Sequence, residues 1–263
     1  MNKKNFAERP RKQNVERAEI DENLVIGRNA VRELLKSGRS VDKIFVARGE
    51  REGSITVIVA EAIKAKIPVV ECERQKLDAM ARGVVHQGVI ASASAKEYVE
   101  IEDILKIAED RGEAPLIVIA DGVEDPHNLG AIIRVAEGAG AHGLIIPKRR
   151  AAGVTSVVEK ASAGALEHLA VAKVSNLASA VQKLKELGVW IYAAEAGGTP
   201  YYEVDFSGPA AIVVGSEGFG VSKLIKDLSD FNVSIPMYGK VTSFNVSCAT
   251  AVIVCEAARR HHG

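Results

Sequence analysis

The chain has 263 residues, 47% of them hydrophobic, and its lysines plus arginines equal its aspartates plus glutamates at 34 each. That length and apolar content suit two packed domains, and the balanced charge excludes a global pull on nucleic acid, so any RNA site must be a local patch. No apolar run approaches the roughly 18 residues that span a bilayer, and the N-terminus is basic without an apolar signal core, so a cytoplasmic protein without membrane contact is expected.

Residues 1–22 carry Lys3, Lys4, Arg9, Arg11, Lys12 and Arg17 with little apolar content to anchor them, which predicts a disordered basic arm. From residue 23 to 95 the pattern alternates compactly: helix 28–35, strand 43–47, helix 55–65, strand 68–71, helix 74–80 and strand 88–93. This reads as a small α/β unit of its own. Residues 96–114 are charged and mostly helical and read as a linker ending before Pro115. Beyond it, in a domain spanning 115–263, apolar runs at 116–120, 143–147, 169–174, 189–194, 210–215 and 232–237 alternate with helical segments. Continuous apolar strands separated by helices predict a parallel sheet covered on both faces, with its function in the loops after the strands. Cys72, Cys248 and Cys255 form no CxxC pair and lie in apolar stretches, so buried reduced thiols are expected.

Three such loops stand out, at 121–141, 215–224 and 236–260. GSEGFG has its glycines in the order GxxGxG, and GxxxxGK[ST], GxSxG and HExxH do not occur, which counts against dinucleotide, P-loop, serine-hydrolase and zinc readings. In the first loop Asn128 reads as the N-cap of a helix starting near Leu129, with Arg134 two turns along an otherwise apolar helix. An unpaired charge there would be costly unless it faces a partner or a site. Glu217 either serves a ligand or complements the positive end of the next helix, and Ser243 or Asn245 either caps the last helix or serves the site. Lys148, Arg149 and Arg150 directly follow a strand, as a solvated face or a grip on RNA phosphates.

Taken in order, N-x-G-x-x-x-R at 128–134, G-x-E-G-x-G at 215–220 and S-F-N-V-S at 243–247 resemble the three signature motifs of the SpoU/TrmH (SPOUT) RNA 2′-O-ribose methyltransferases. Residues 24–95, with HQGV at 86–89, resemble the ribosomal-protein-like substrate-binding domain of many members. The resemblance implies an α/β fold with a knotted parallel-sheet catalytic domain, S-adenosyl-L-methionine held in the knot, a homodimer, and no metal. Its nearest branch methylates a guanosine of large-subunit (23S) ribosomal RNA; transfer RNA as substrate, or an inactive RNA-binding assembly factor, are the alternatives. By the same resemblance Arg134 is the catalytic arginine, with Asn128, Glu217, Ser243 and Asn245 around the reacting ribose, while Gly215, Ile235, Met237, Phe244, Ala194 and Glu195 hold the cofactor. Guanidinium is a poor proton acceptor, so an electrostatic clamp stands beside the role of base for Arg134.

Overall fold

The structure is a computed structural model that describes residues 23–49 and 53–262; the segment 1–22, read as a basic arm, lies outside the described residues. The N-terminal unit runs β1 (Leu24–Ile26), α1 (Arg28–Ser37), β2 (Val41–Ala47), α2 (Ser54–Lys64), β3 (Val69–Cys72), α3 (Arg74–Ala81) and β4 (Val89–Ala93). Its four strands lie in the order β1-β4-β2-β3, with β4 antiparallel to both neighbours and β3 parallel to β2. Alternation along β2 divides the core. Ile44 and Val46 face α1 and α2, while Phe45 and Ala47 face Leu77 and Ala81 of α3. Strand β1 is absent from the sequence reading because three apolar residues are too short to show a period.

The segment 96–114, placed in a linker by the sequence, carries α4 (Ile101–Arg111), started by a Glu100–Asp103 capping box. Ile101, Ile104 and Ala108, at helical spacing, are buried with the core of the following sheet. Just ahead of the helix the Val99 N–H donates to Val171 O at 2.9 Å. This stretch is therefore part of the catalytic domain's packing. A Cβ on Gly143 would meet Ile104 at 2.6 Å, so glycine at the start of a strand is what lets the helix seat.

The second sheet contains β5 (Leu116–Asp121), β6 (Gly143–Pro147), β7 (Ala170–Val174), β8 (Trp190–Pro200), β9 (Ala210–Gly215) and β10 (Phe231–Ser234), in the order β10-β8-β9-β5-β6-β7 with every pair parallel. Helices α5 (Pro126–Gly138), α6 (Ser156–Ala161) and α9 (Val246–His262) cover one face; α4, α7 (Leu177–Glu186) and α8 (Lys223–Leu228) cover the other. Burial on both faces explains the unbroken apolar runs. In β5, Leu116, Val118 and Ala120 enter one core and Ile117 and Ile119 the other.

The two units meet where α1 and β1 pack on α6 and the 3-10 turn Ala165–Glu167. Arg39 Nη1 donates to Glu159 Oε1 at 2.7 Å and to Glu167 Oε1 at 2.8 Å, and the Ser37 hydroxyl donates to Glu167 Oε2 at 3.0 Å. All three charged side chains are buried. Burial pushes the Glu159 carboxyl up to about 7, against the opposing pull of Arg39.

Candidate active site

Strand β9 ends at Gly215, and the chain folds back over 216–220, where Ser216 and Gly220 exchange backbone hydrogen bonds of 3.1 and 2.9 Å. A Cβ on Gly215 would lie 1.9 Å from Gly220 C, so the crossing of the chain over itself demands glycine there. The turn holds Glu217 beside two amides from other loops.

Helix α5 starts earlier than the sequence suggests. Asp125 is the N-cap, accepting from the His127 N–H at 2.9 Å, with Pro126 in the first helical position. Asn128 is therefore inside the first turn and free of capping duty. Its Nδ2 donates to Glu217 Oε1 at 3.1 Å, and its Oδ1 accepts from Asn245 Nδ2 at 3.0 Å. Asn245 Nδ2 also donates to Glu217 Oε1, and its own Oδ1 accepts from the Ser247 N–H at 3.0 Å and hydroxyl at 2.6 Å. Asn245 thus serves the start of α9 and the site together. One carboxylate oxygen receives both amides, so three loops distant in sequence form one polar lattice. Glu217 is not at a helix start; α8 begins only at Lys223.

Beside the lattice lies a cavity of about 580 Å³. Ala194 and Glu195 of β8, Gly215 and Glu217, Ile235 and Met237 after β10, and Ser243, Phe244 and Asn245 before α9 all line it. Its wall also contains Gly220 of the second motif, and Val214, Thr242, Ala249 and Ile253, which the sequence reading does not name. Ala249 and Ile253 follow Asn245 at spacings of four and eight, one face of a helix, and that period is a signal that could have found them. Glu195 Oε2 is buried, meets the Lys226 ammonium at 3.5 Å, and accepts no hydrogen bond among the described residues.

Other expected residues lie outside. Arg134 is solvent-exposed, does not line the cavity and makes no ion pair among the described residues. The desolvation argument for a partner fails there, because Ile132, Ile133 and Ala136 turn inward while Arg134 points out. Lys148, Arg149 and Arg150 are exposed in the bend after β6 and do not line the cavity either. His142 is buried at the opposite end of the sheet, its Nδ1 accepting from the Leu116 N–H at 3.0 Å; burial lowers its pKa, and its role is structural. Cys72 is buried as expected, but Cys248 and Cys255 are exposed. Val246, Thr250, Ile253, Val254 and Ala257 form the inward face of α9, and the two thiols project from the other side. Among the described residues no group of three or more His, Cys, Asp or Glu side chains could hold a metal ion.

The chain matches the SpoU rRNA Methylase family over residues 115–255 and the RNA 2′-O ribose methyltransferase substrate binding family over residues 24–99. It is 44% identical to Bacillus subtilis (strain 168) YacO, whose name places it among TrmH family tRNA/rRNA methyltransferases, across 90% of this chain and 96% of that protein. A solved RNA 2′-O ribose methyltransferase superposes with a TM-score of 0.75 at 25% identity, covering 90% of this chain and 88% of that one. The SpoU methyltransferase AviRb from Streptomyces viridochromogenes, solved with AdoMet, shares the fold at a TM-score of 0.74 and 24% identity, covering 90% and 89% of the two chains.

Proposed function

From the premise that this chain belongs to the SpoU/TrmH family of RNA 2′-O-ribose methyltransferases, we propose that it methylates the ribose 2′-hydroxyl of a guanosine in 23S ribosomal RNA, with S-adenosylmethionine as donor. The observation that carries this reading is the Asn128–Glu217–Asn245 lattice set against the 580 Å³ cavity. The cavity fits the cofactor. Val214, Ile235, Phe244 and Ile253 supply apolar walls for an adenine, Gly215 and Gly220 bring backbone close, and Glu195 Oε2, which accepts no hydrogen bond among the described residues, can accept from a ribose hydroxyl. When bound, the sulfonium supplies an activated methyl group.

The chain's own residues position the acceptor. Glu217 is held by two amides, and Ser243 stands at the cavity wall with its hydroxyl available to the RNA. Arg134 supplies a planar cation able to grip a phosphate and stabilise a developing alkoxide, a more suitable role than that of base. Its exposure supports action across a homodimer. Phe219 and Phe244, 91% and 50% exposed, line the cavity, Tyr238 and Val241 are exposed in the segment between its lining residues Met237 and Thr242, and α9 turns Cys248 and Cys255 outward. Such an apolar rim is what a second copy would cover. The path of the C-terminal segment, from β10 at the sheet edge past the loops at 194–196 and 215–220 to α9 against α5, supports the knot that the resemblance implies.

The test is to map ribose methylation in 23S RNA and in transfer RNA incubated with the protein and labelled cofactor. Methylation confined to transfer RNA, a substrate class that the relative's name includes, moves the assignment there. Cofactor and RNA binding without transfer leaves the inactive assembly factor. Arg134→Lys and Arg134→Ala are expected to bind cofactor normally and lose transfer by at least about a hundredfold; near-parent transfer by the lysine variant makes Arg134 a surface cation.

A further inference from the structure

A second cleft, of about 520 Å³, opens where the N-terminal unit joins the catalytic domain, against edge strand β7. It lies three strands from β9, roughly 14 Å at ordinary strand spacing. Lys96 and Tyr98 of the joining segment, Gly153, Glu159 of α6 and Lys173 of β7 line it. Its polar groups are incompletely used. Glu159 is 3% exposed; Oε1 takes the Arg39 guanidinium, while Oε2 accepts no hydrogen bond among the described residues. A buried acceptor without a donor is a standing cost that a bound partner would relieve. Lys173 Nζ rests 4.9 Å over the Tyr98 ring and makes no ion pair among the described residues. Lys96 donates to Glu167 O at 3.3 Å, and two of its three protons remain. Burial pulls its pKa below the ordinary lysine value, and an anion beside it would offset that desolvation.

Two ammonium groups, one unmet carboxylate oxygen and an aromatic face, in a volume within the usual range for small ligands, match the chemistry of one unstacked nucleotide. We infer that this cleft is a nucleotide subsite for the substrate RNA, with phosphate on Lys173 and Lys96 and a base amine or ribose hydroxyl donating to Glu159 Oε2. The inference rests on the RNA-methyltransferase reading. Continuity supports it: Gly153 follows the exposed Lys148–Arg150 run by three residues, and the Ala152 N–H donates to Val123 O in the loop leading to Asn128. The basic run thus lies on the path between the cleft and the methyl-transfer site.

The experiment measures retention of a 23S ribosomal RNA transcript and of a transfer RNA pool by the full-length protein across a salt series. For whichever RNA the parent methylates, Lys173→Ala is expected to weaken binding and flatten the slope of log affinity against log salt by roughly 0.7, the value of one single-strand phosphate contact. Lys173→Arg should restore both. At about pH 8, where the Glu159 carboxyl is ionised, Glu159→Gln, which puts a donor where an acceptor was needed, should weaken binding with the slope kept. Calorimetry with S-adenosylmethionine should give the same affinity in all variants, since none lines the larger cavity. Parent-like affinity and slope in Lys173→Ala overturn the subsite while the methyltransferase reading stands. Parent-like RNA affinity in Glu159→Gln overturns the donor assignment. A parent that neither binds nor methylates either RNA overturns the functional reading and the subsite together.

Discussion

Glu217 Oε1 accepts the side-chain amides of Asn128 and Asn245, and this double acceptance makes the two possible losses unequal. Glu217→Gln keeps an oxygen in place but exchanges charge-assisted hydrogen bonds for neutral ones, an expected cost of about 1 kcal/mol in unfolding free energy. Asn245→Asp removes the donor and sets a second carboxylate against the first. It is expected to destabilise by more than the glutamine change and to lower methyl transfer by at least about a hundredfold. Denaturant titration and a transfer assay on the two variants check the ranking; equal stability losses would show that the lattice is not what holds the loops. The letters of this lattice are visible in the sequence, but their partners are not. Asn128 has the composition of a cap, and only the Asp125–Pro126 pair ahead of it, itself a readable start signal, shows that the cap is elsewhere. Arg134 illustrates the converse. Its motif is legible, whereas its outward direction depends on which side of α5 meets the sheet.

At the scale of elements, the strands of the second sheet were legible because burial on both faces leaves no polar interruption. Helix α4 was legible as a helix and illegible as to allegiance, since an apolar stripe does not say which core receives it. Its packing makes a sharp prediction. A fragment of residues 97–263 keeps Val99 beside Ala172 and Ile104 over Gly143, and it is expected to fold and bind S-adenosylmethionine with most RNA affinity gone. A fragment of residues 115–263 bares the surface that Ile101, Ile104 and Ala108 cover, and it is expected to aggregate or to melt far lower. Within the full chain, Ile104→Ala should cost about 2–5 kcal/mol by the usual cavity penalty. Circular dichroism and size-exclusion chromatography of the two fragments decide the matter; equal behaviour would return 96–114 to the status of a linker.

The whole molecule is joined through buried charge. Glu159 faces Arg39, Lys96 and Glu167, and its carboxyl holds a proton up to about 7 in the folded chain against 4.5 ordinarily. The folded state therefore binds more protons between those values. The stability that this group contributes is full below 4.5 and is lost as pH rises through about 7. The melting temperature of the parent relative to Glu159→Gln is expected to fall by several degrees as pH rises from about 5 to about 8; a gap that widens instead would mean that the carboxylate is charged throughout. None of this is readable in the sequence, where Arg39 and Glu159 stand 120 residues apart. That separation also has a meaning in time. On a ribosome adding about 5–20 residues per second, Arg39 emerges roughly 6–24 s before its carboxylate partner exists. Through that interval the guanidinium must stay in water, so the N-terminal unit is born with an unfinished face, and its docking belongs to the closing stage of synthesis.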